Sequence, residues 1–315
     1  MGFEKMSNHW DFWDKIFCIN LDYRTDRWKE CLVEFDKVGL IEKVIRFPAI
    51  AHEHGGLGCY LSHIKLMKEM LKTDFKRVLI LEDDIQFIDD GIINIPATIE
   101  DLGRREWDLF FFGIRTNGPI YKVNEHLAIP VNGGCTHAIG YTPESLKLCM
   151  EDWANSVENA NKGHFVPIDS RGPFTYIRAL ESFCPYKIAC VQRSSPSNLC
   201  GFQKDGKGST GYIPSDKPID FSRDNVNEYR TGMIEGGLLA KVYADNTTYI
   251  MQFFKNYSIC DNHEDKQPWE LEGDTLRVRI YMWQDKDIVM TRTASNEFTG
   301  EERKVKFYGE LESLT

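Results

Sequence analysis

The chain has 315 residues, is 42% hydrophobic, and carries 38 Lys and Arg against 48 Asp and Glu, a formal net charge of −10. That length suits one large domain, or a large domain with a small companion. The acidic balance without any Lys/Arg block argues against a nucleic-acid partner, and no apolar run is long enough to span a bilayer. The N-terminal stretch MGFEKMSNHWDFWDK is polar and mixed in charge, so it does not read as a secretory signal. Nine scattered cysteines with no CxxC pair read as reduced core thiols, and the expected location is cytoplasmic.

In chain order, KIFCINL (15–21) has the pattern of a short buried strand. A polar loop follows, and then Trp28, Cys31, Leu32, Phe35 and Val38 recur at helical spacing until Gly39 stops the run. A second strand is expected at 43–47, ended by Pro48. HEHGGLGCYLSH places glycines ahead of a helix whose apolar stripe is Leu61, Ile64, Met67 and Leu71. Val78 to Leu81 is a strand that runs into Glu82, Asp83 and Asp84, and Leu109 to Phe112 is another, ended by Gly113. A loop, a short strand and a helix from Pro143, capped by Thr142, are expected next. Residues 176–180 read as helix, 186–192 as strand, and 193–221 as a loop-rich connection. The last part changes to alternating β patterns at 276–283, 288–293 and 304–308, with QDKD as a turn. Alternating strands and helices predict an α/β domain over 1–221, and the remainder, 222–315, a connecting segment and a small antiparallel β module.

The carboxylate triplet is the feature most in need of a reason. Apolar strands that end in acidic residues deliver ligands to a crevice at the carboxyl edge of a sheet. There, hard divalent cations share oxygen ligands with phosphates. The alternative is a solvated acidic turn. INLDYRTDRW sets Arg24 and Arg27 at a strand tip, where guanidiniums can grip phosphate. Alternatively, they pair with Asp22 and Asp26 on the surface. His63 reads as a helix-surface histidine, and the nearby His52 and His54 lack a third zinc ligand. The tryptophans read as packing residues, with Trp269 and Trp283 as the alternative site for a carbohydrate platform.

Taken together, FCINLDYRTDRW, RFPAI, GCYLSHIKLMKEM and VLILEDDIQF, in that order, resemble glycosyltransferase family 25, the family of bacterial lipooligosaccharide sugar transferases and collagen galactosyltransferases. GGCTHAIGYTPESLKLC and VPIDSRGPFTYI resemble its later blocks, so the likeness covers roughly 14–200. The resemblance implies a GT-A type nucleotide-sugar-binding fold with a mixed central sheet. It also implies a UDP-sugar donor, often UDP-galactose, Mn²⁺ or Mg²⁺, and a glycan, glycolipid or glycoprotein acceptor. By that analogy Asn20, Arg24 and Arg27 line the nucleotide site, Glu82 or Asp83 faces the nucleoside, and Asp84 binds the metal. The sequence departs from the family in a short loop between Pro48 and Gly58, in a GGLGC without a preceding acidic residue, and in Asn198 where an aspartate is expected.

The implied reaction is sugar transfer with inversion, in which a carboxylate takes the proton of the acceptor hydroxyl. Asp169 is the candidate base, with a helix cap as its alternative role. His137, His164 and Glu181 are lesser candidates. A degenerate transferase that binds nucleotide sugar or glycan without turnover is the competing reading. A metal-dependent phosphohydrolase is disfavoured, because no phosphate-nucleophile motif is present. Donor sugar, acceptor and oligomeric state are not written in the sequence.

Overall fold

The computed structural model describes residues 8–116, 120–193, 195–197, 215–219, 233–234, 237–244, 247–255, 257–260, 269–279, 287–300 and 303–311. The chain divides into two compact units, Met1–Gly118 with Asn124–Thr231, and Pro119–Val123 with Gly232–Thr315. Asn198, Trp283 and the first three residues of QDKD lie outside the described residues, as does most of the 193–221 connection.

The first unit opens with a 3-10 turn (His9–Phe12), then β1 (Lys15–Asn20), α1 (Thr25–Lys37), β2 (Val44–Pro48), α2 (Gly55–Met70) and β3 (Val78–Glu82). Next come β4 (Ile85–Phe87), α3 (Asp89–Ile92), α4 (Ile95–Gly103) and β5 (Leu109–Arg115). After β6 (Ile120–Lys122), which belongs to the second unit, follow β7 (Leu127–Pro130), β8 (Gly134–Tyr141) and α5 (Pro143–Asn161). A 3-10 turn (Ile168–Ser170), α6 (Pro173–Tyr176), β9 (Ser182–Pro185), β10 (Cys190–Gln192), β11 (Ser195–Ser197) and β12 (Ser215–Ile219) complete it.

Its central sheet has the order β7-β9-β5-β8-β3-β1-β2. β1 runs parallel to β2 and β3, while β8 lies antiparallel between β3 and β5. The expected mixed sheet is thus present. Most of its strands are buried along nearly their whole length, which explains the apolar runs of β1, β3 and β5. Phe110, Phe111 and Phe112 are each at most 1% exposed; burying such side chains contributes about 1.5–3 kcal/mol apiece.

Three local readings shift. The predicted strand end at Gly113 is instead a point within β5, because a Cβ there would meet His137 Nε2 at 2.1 Å and Cys190 Sγ at 2.8 Å. This glycine makes room and does not break the strand. The glycines of GGLGC lie inside the first turn of α2, whose cap is His54, its ring Nδ1 accepting from the Leu57 N–H at 3.2 Å. The strand expected at 186–192 shrinks to β10, with β9 a separate strand that ends before it at Pro185, and the helix expected at 176–180 ends at Tyr176. Thr142 caps α5 as predicted, in a reciprocal box with Ser145.

The second unit comprises β6, β13 (Met233–Ile234), β14 (Leu238–Ala244), β15 (Thr247–Phe254), β16 (Tyr257–Cys260), β17 (Trp269–Glu272), β18 (Thr275–Arg279), β19 (Asp287–Ala294), β20 (Glu297–Gly300) and β21 (Arg303–Phe307). Its last eight strands form one antiparallel sheet, in the order β16-β15-β14-β21-β20-β19-β18-β17. Val242, Met251, Phe253, Phe298 and Phe307 form its core. Trp269 belongs to that core, 8% exposed, with its indole N–H donating to the Phe254 carbonyl at 2.7 Å. A ring used this way for packing offers no sugar platform.

Candidate active site

Strand register builds the site. Ile19 pairs with Glu82 and Asn20 with Pro48, so the carboxyl ends of β1, β2 and β3 finish at one edge. β8 runs the other way and pairs Ala138 with Leu81, which brings its first residues, Gly134 to His137, to the same edge. Asp83 and Asp84 form the two-residue turn between β3 and β4. β10 holds that hairpin from the far side: Gln192 pairs with Ile85, and the Arg193 N–H donates to the Asp84 carbonyl at 2.5 Å. A cavity of about 460 Å³ opens here, walled by Asn20, Arg27, His63, Glu82, Asp83 and Asp84 among others.

Each carboxylate of the triplet has a different fate. Asp83 is buried and accepts from Arg27 at 2.6 Å and from Asn20 Nδ2 at 2.7 Å. Glu82 accepts from the Thr136 hydroxyl at 2.6 Å and lies 2.9 Å from His63 Nε2. Burial pushes the Glu82 carboxyl up, but the hydrogen bonds from His63 and Thr136 outweigh it and hold the group below its ordinary value. Asp84 is relieved only in part, by the more distant charges of Arg27 and Arg193. Its Oδ1 is buried with no hydrogen-bond partner, and burial, reinforced by Glu82, pushes the carboxyl up to about 8. A buried carboxyl whose ionised form is disfavoured by a neighbouring carboxylate is the environment that a divalent cation reverses in sign.

Arg24 and Arg27 diverge. Arg27, on the buried face of α1, reaches Asp83. Arg24 turns to Asp26, with Nη2 to Oδ2 at 2.9 Å, and this contact holds the Asp26 carboxyl down at about 2. Asp22 pairs with Arg46 at 2.8 Å, and Arg46 Nε also donates to Asn20 Oδ1 at 2.9 Å. Thus Asn20, Arg27, Glu82, Asp83 and Asp84 come together around the cavity, while Arg24 and Asp169 lie outside its wall.

Asp169 sits in the 3-10 turn beside the start of β8. Its side chain is reached by solvent, yet protein crowds it on most sides. That crowding, followed by the charge of Glu82, pushes its carboxyl up to about 6, while the Cys135 N–H and the Thr136 hydroxyl pull it back. Cys135 takes φ of 77°, a left-handed conformation uncommon for a residue with a Cβ. Thr136 thus stands between Glu82 and Asp169, and its single hydroxyl proton can serve only one of them at a time.

Several of these residues were not legible as functional. His63, read as a surface histidine, is 1% exposed and packs edge-on against Trp153 with ring centroids 5.1 Å apart. Thr136, Arg46 and Arg193 were missed. The quoted blocks RFPAI and GGCTH contained two of them, but no spacing rule gives their partners. His137 is fully buried, with neither ring nitrogen hydrogen-bonded, and burial pushes it down to about 4. That keeps the ring neutral and inside the core. His164 is exposed, and neither it nor Glu181 borders the cavity. His52 Nδ1 accepts from the His54 N–H at 2.9 Å, so that pair organises the loop before α2.

The chain therefore holds a cluster of carboxylates and an arginine at the carboxyl edge of a mixed α/β sheet. The sequence model of glycosyltransferase family 25 (LPS biosynthesis protein) matches residues 53–101, the stretch that supplies α2, β3 and the carboxylate turn. A "Glycosyltransferase 25 family member" of Anopheles gambiae is 30% identical over 127 residues, covering 31% of this chain and 21% of that protein. "Procollagen galactosyltransferase 2" of Mus musculus is 30% identical over 132 residues, 39% of this chain and 20% of its own length. "Inactive glycosyltransferase 25 family member 3", also from mouse, is 31% identical over 71 residues, 22% of this chain and 12% of that protein. The resemblance to family 25 is borne out, and the matched stretch spans about a fifth of the length of the first of these relatives. Among the described residues, no helix is long and apolar enough to cross a membrane.

Proposed function

We propose that this chain is a metal-dependent glycosyltransferase that moves a sugar, galactose-like in the first instance, from a UDP-sugar to a hydroxyl of a glycan or glycoconjugate, with inversion. The observation that carries the reading is the orphaned Asp84 oxygen, buried next to Glu82 and Asp83 in the wall of a cavity large enough for a nucleotide. The sheet order, with one antiparallel strand among parallel ones at the site edge, supports a GT-A type fold. The relatives named as family 25 transferases add support from outside the chain.

The donor set fits Mn²⁺ or Mg²⁺: Asp84 would hold the cation, which when bound neutralises charge on the departing diphosphate. The protein's own groups do the rest. Asp83 is spent on Arg27 and Asn20, which shapes the nucleotide side of the cavity and leaves Asp84 as the carboxylate with capacity to bind. Asp169 would take the acceptor's proton. A carboxylate raised to about 6 is ionised at neutral pH and more basic than an ordinary one, the combination that general-base catalysis favours. The Thr136 hydroxyl, which donates to Glu82 in the structure, can turn to Asp169 while that carboxylate is ionised and return to Glu82 as Asp169 accepts the proton.

Calorimetry with UDP, with and without Mn²⁺, followed by a panel of UDP-sugars monitored for UDP release, tests the reading. Metal-dependent UDP binding that is lost in Asp84→Ala is expected, together with slow donor hydrolysis. Absence of UDP binding with Mn²⁺ would sink the nucleotide-sugar reading. The mouse relative named inactive motivates a second reading, a nucleotide-sugar binder without turnover. Tight UDP and Mn²⁺ binding, without release from any donor in the presence of acceptors, would select it.

A further inference from the structure

The cavity has a second donor corner, in which Glu82 is joined by Cys59 and His63, two residues to which the transferase reading gives no role. Cys59 and His63 stand one turn apart on α2, so both side chains lie on one helix face. Glu82, at the end of β3, meets them there. One ligand atom from each of the three lies within 4.8 Å of the other two, and all three residues border the cavity. His63 Nε2 is 2.9 Å from Glu82 Oε1, while His63 Nδ1 is buried without a hydrogen-bond partner. A sulfur, a nitrogen and an oxygen converging in this way are a borderline-soft donor set, unlike the carboxylates around Asp84.

We propose that Cys59, His63 and Glu82 form a seat for a thiophilic divalent cation, Zn²⁺ first, distinct from the oxygen-ligand site at Asp84. Ligand atoms around tetrahedral Zn²⁺ lie about 3.3–3.8 Å apart, from metal–ligand bonds of about 2.0–2.3 Å. The observed spacings, from 2.9 Å up to a limit of 4.8 Å, bracket that range, so modest side-chain rotations close the site. On binding, the Cys59 thiol gives its proton to solvent and the sulfur bonds the metal. His63 ligates through Nε2 and carries its proton on Nδ1, and the carboxylate of Glu82 supplies the third bond. The fourth position faces the cavity and takes water. Because Glu82 is then drawn from the Thr136 hydroxyl, occupation of this seat also changes the surroundings of Asp169. The proposal does not rest on the transferase reading.

The test uses the full chain stripped of metal and titrated with Co²⁺ as an optical probe. One equivalent should give a thiolate-to-cobalt band in the near ultraviolet and the visible bands of four-coordinate Co²⁺, displaced by Zn²⁺. Cys59→Ser should abolish the near-ultraviolet band, and His63→Gln should weaken binding at least tenfold. In the unmutated protein, Zn²⁺ should protect Cys59 from alkylation, mapped by mass spectrometry, which keeps the test independent of how the variants fold. No thiolate band in the unmutated protein, a band retained in Cys59→Ser, or alkylation of Cys59 unaffected by Zn²⁺ would overturn the proposal. UDP binding with Mn²⁺ is read separately, so failure here leaves that question distinct.

Discussion

Replacing Asp84 by Asn should stabilise the protein in the absence of divalent cations. In the native state the Asp84 carboxyl is pushed up to about 8 from an ordinary 3.8, by burial and then by Glu82. Such a group binds its proton more tightly folded than unfolded. It therefore adds stability at low pH that is lost as pH rises from 3.8 through about 8. At pH 7 the gap between the ordinary value and the pH is about three units, a ceiling of about 4 kcal/mol at 1.36 kcal/mol per unit. Partial water access lowers that figure, and unpaired buried polar groups cost about 1–3 kcal/mol in practice. The expected gain for Asp84→Asn is thus about 1–3 kcal/mol near pH 8, fading to nothing near pH 4. For a unit of this size that raises its melting temperature by about 2–4 °C per kcal/mol. Thermal and urea denaturation of both proteins in EDTA across this pH range measures it. Adding Mn²⁺ should reverse the order, since only the unmutated protein gains from ligand linkage. A variant less stable than its parent near pH 8 without metal, or a difference that does not change with pH, would refute the reasoning.

Asp169→Asn should lower sugar transfer by about 10²–10⁴-fold while UDP binding in calorimetry stays intact. In the parent, the pH–rate profile should fall below about pH 6, where Asp169 takes up its proton. Arg27→Met leaves Asp83 as a buried charge without its ion-pair partner, and denaturant titration should show a loss of about 3–5 kcal/mol. Gly113→Ala drives a methyl group into the buried His137 ring and Cys190; about 2–3 kcal/mol of destabilisation is expected from overpacking, read from the same titration.

Much of the first unit was legible because its signals are local. The apolar runs of β1, β3 and β5, the Gly39 stop after α1 and the Thr142 cap of α5 each depend on residues within one or two turns of chain. The carboxylate triplet at a strand tip was legible for the same reason, and so were the motif blocks that carry the family resemblance. The second unit announced itself by a change of period from helical spacing to alternation.

The pairings that give those residues their roles were decided by the tertiary structure. Arg24 and Arg27 are equivalent in the sequence; only the packing of α1 sends one to Asp26 and the other to Asp83, 56 positions away. His63 joins Glu82 because α2 lies against the sheet, and Thr136 does so because β8 runs antiparallel to β3 in one particular register. The different proton affinities of Glu82, Asp84 and Asp169 follow from those partners and from burial, neither of which is a property of the residue alone. Periodicity and motif place a residue on an element. Which charge it meets depends on strand register and helix packing, set by contacts tens of residues apart, and those contacts made one of three adjacent carboxylates the candidate metal ligand.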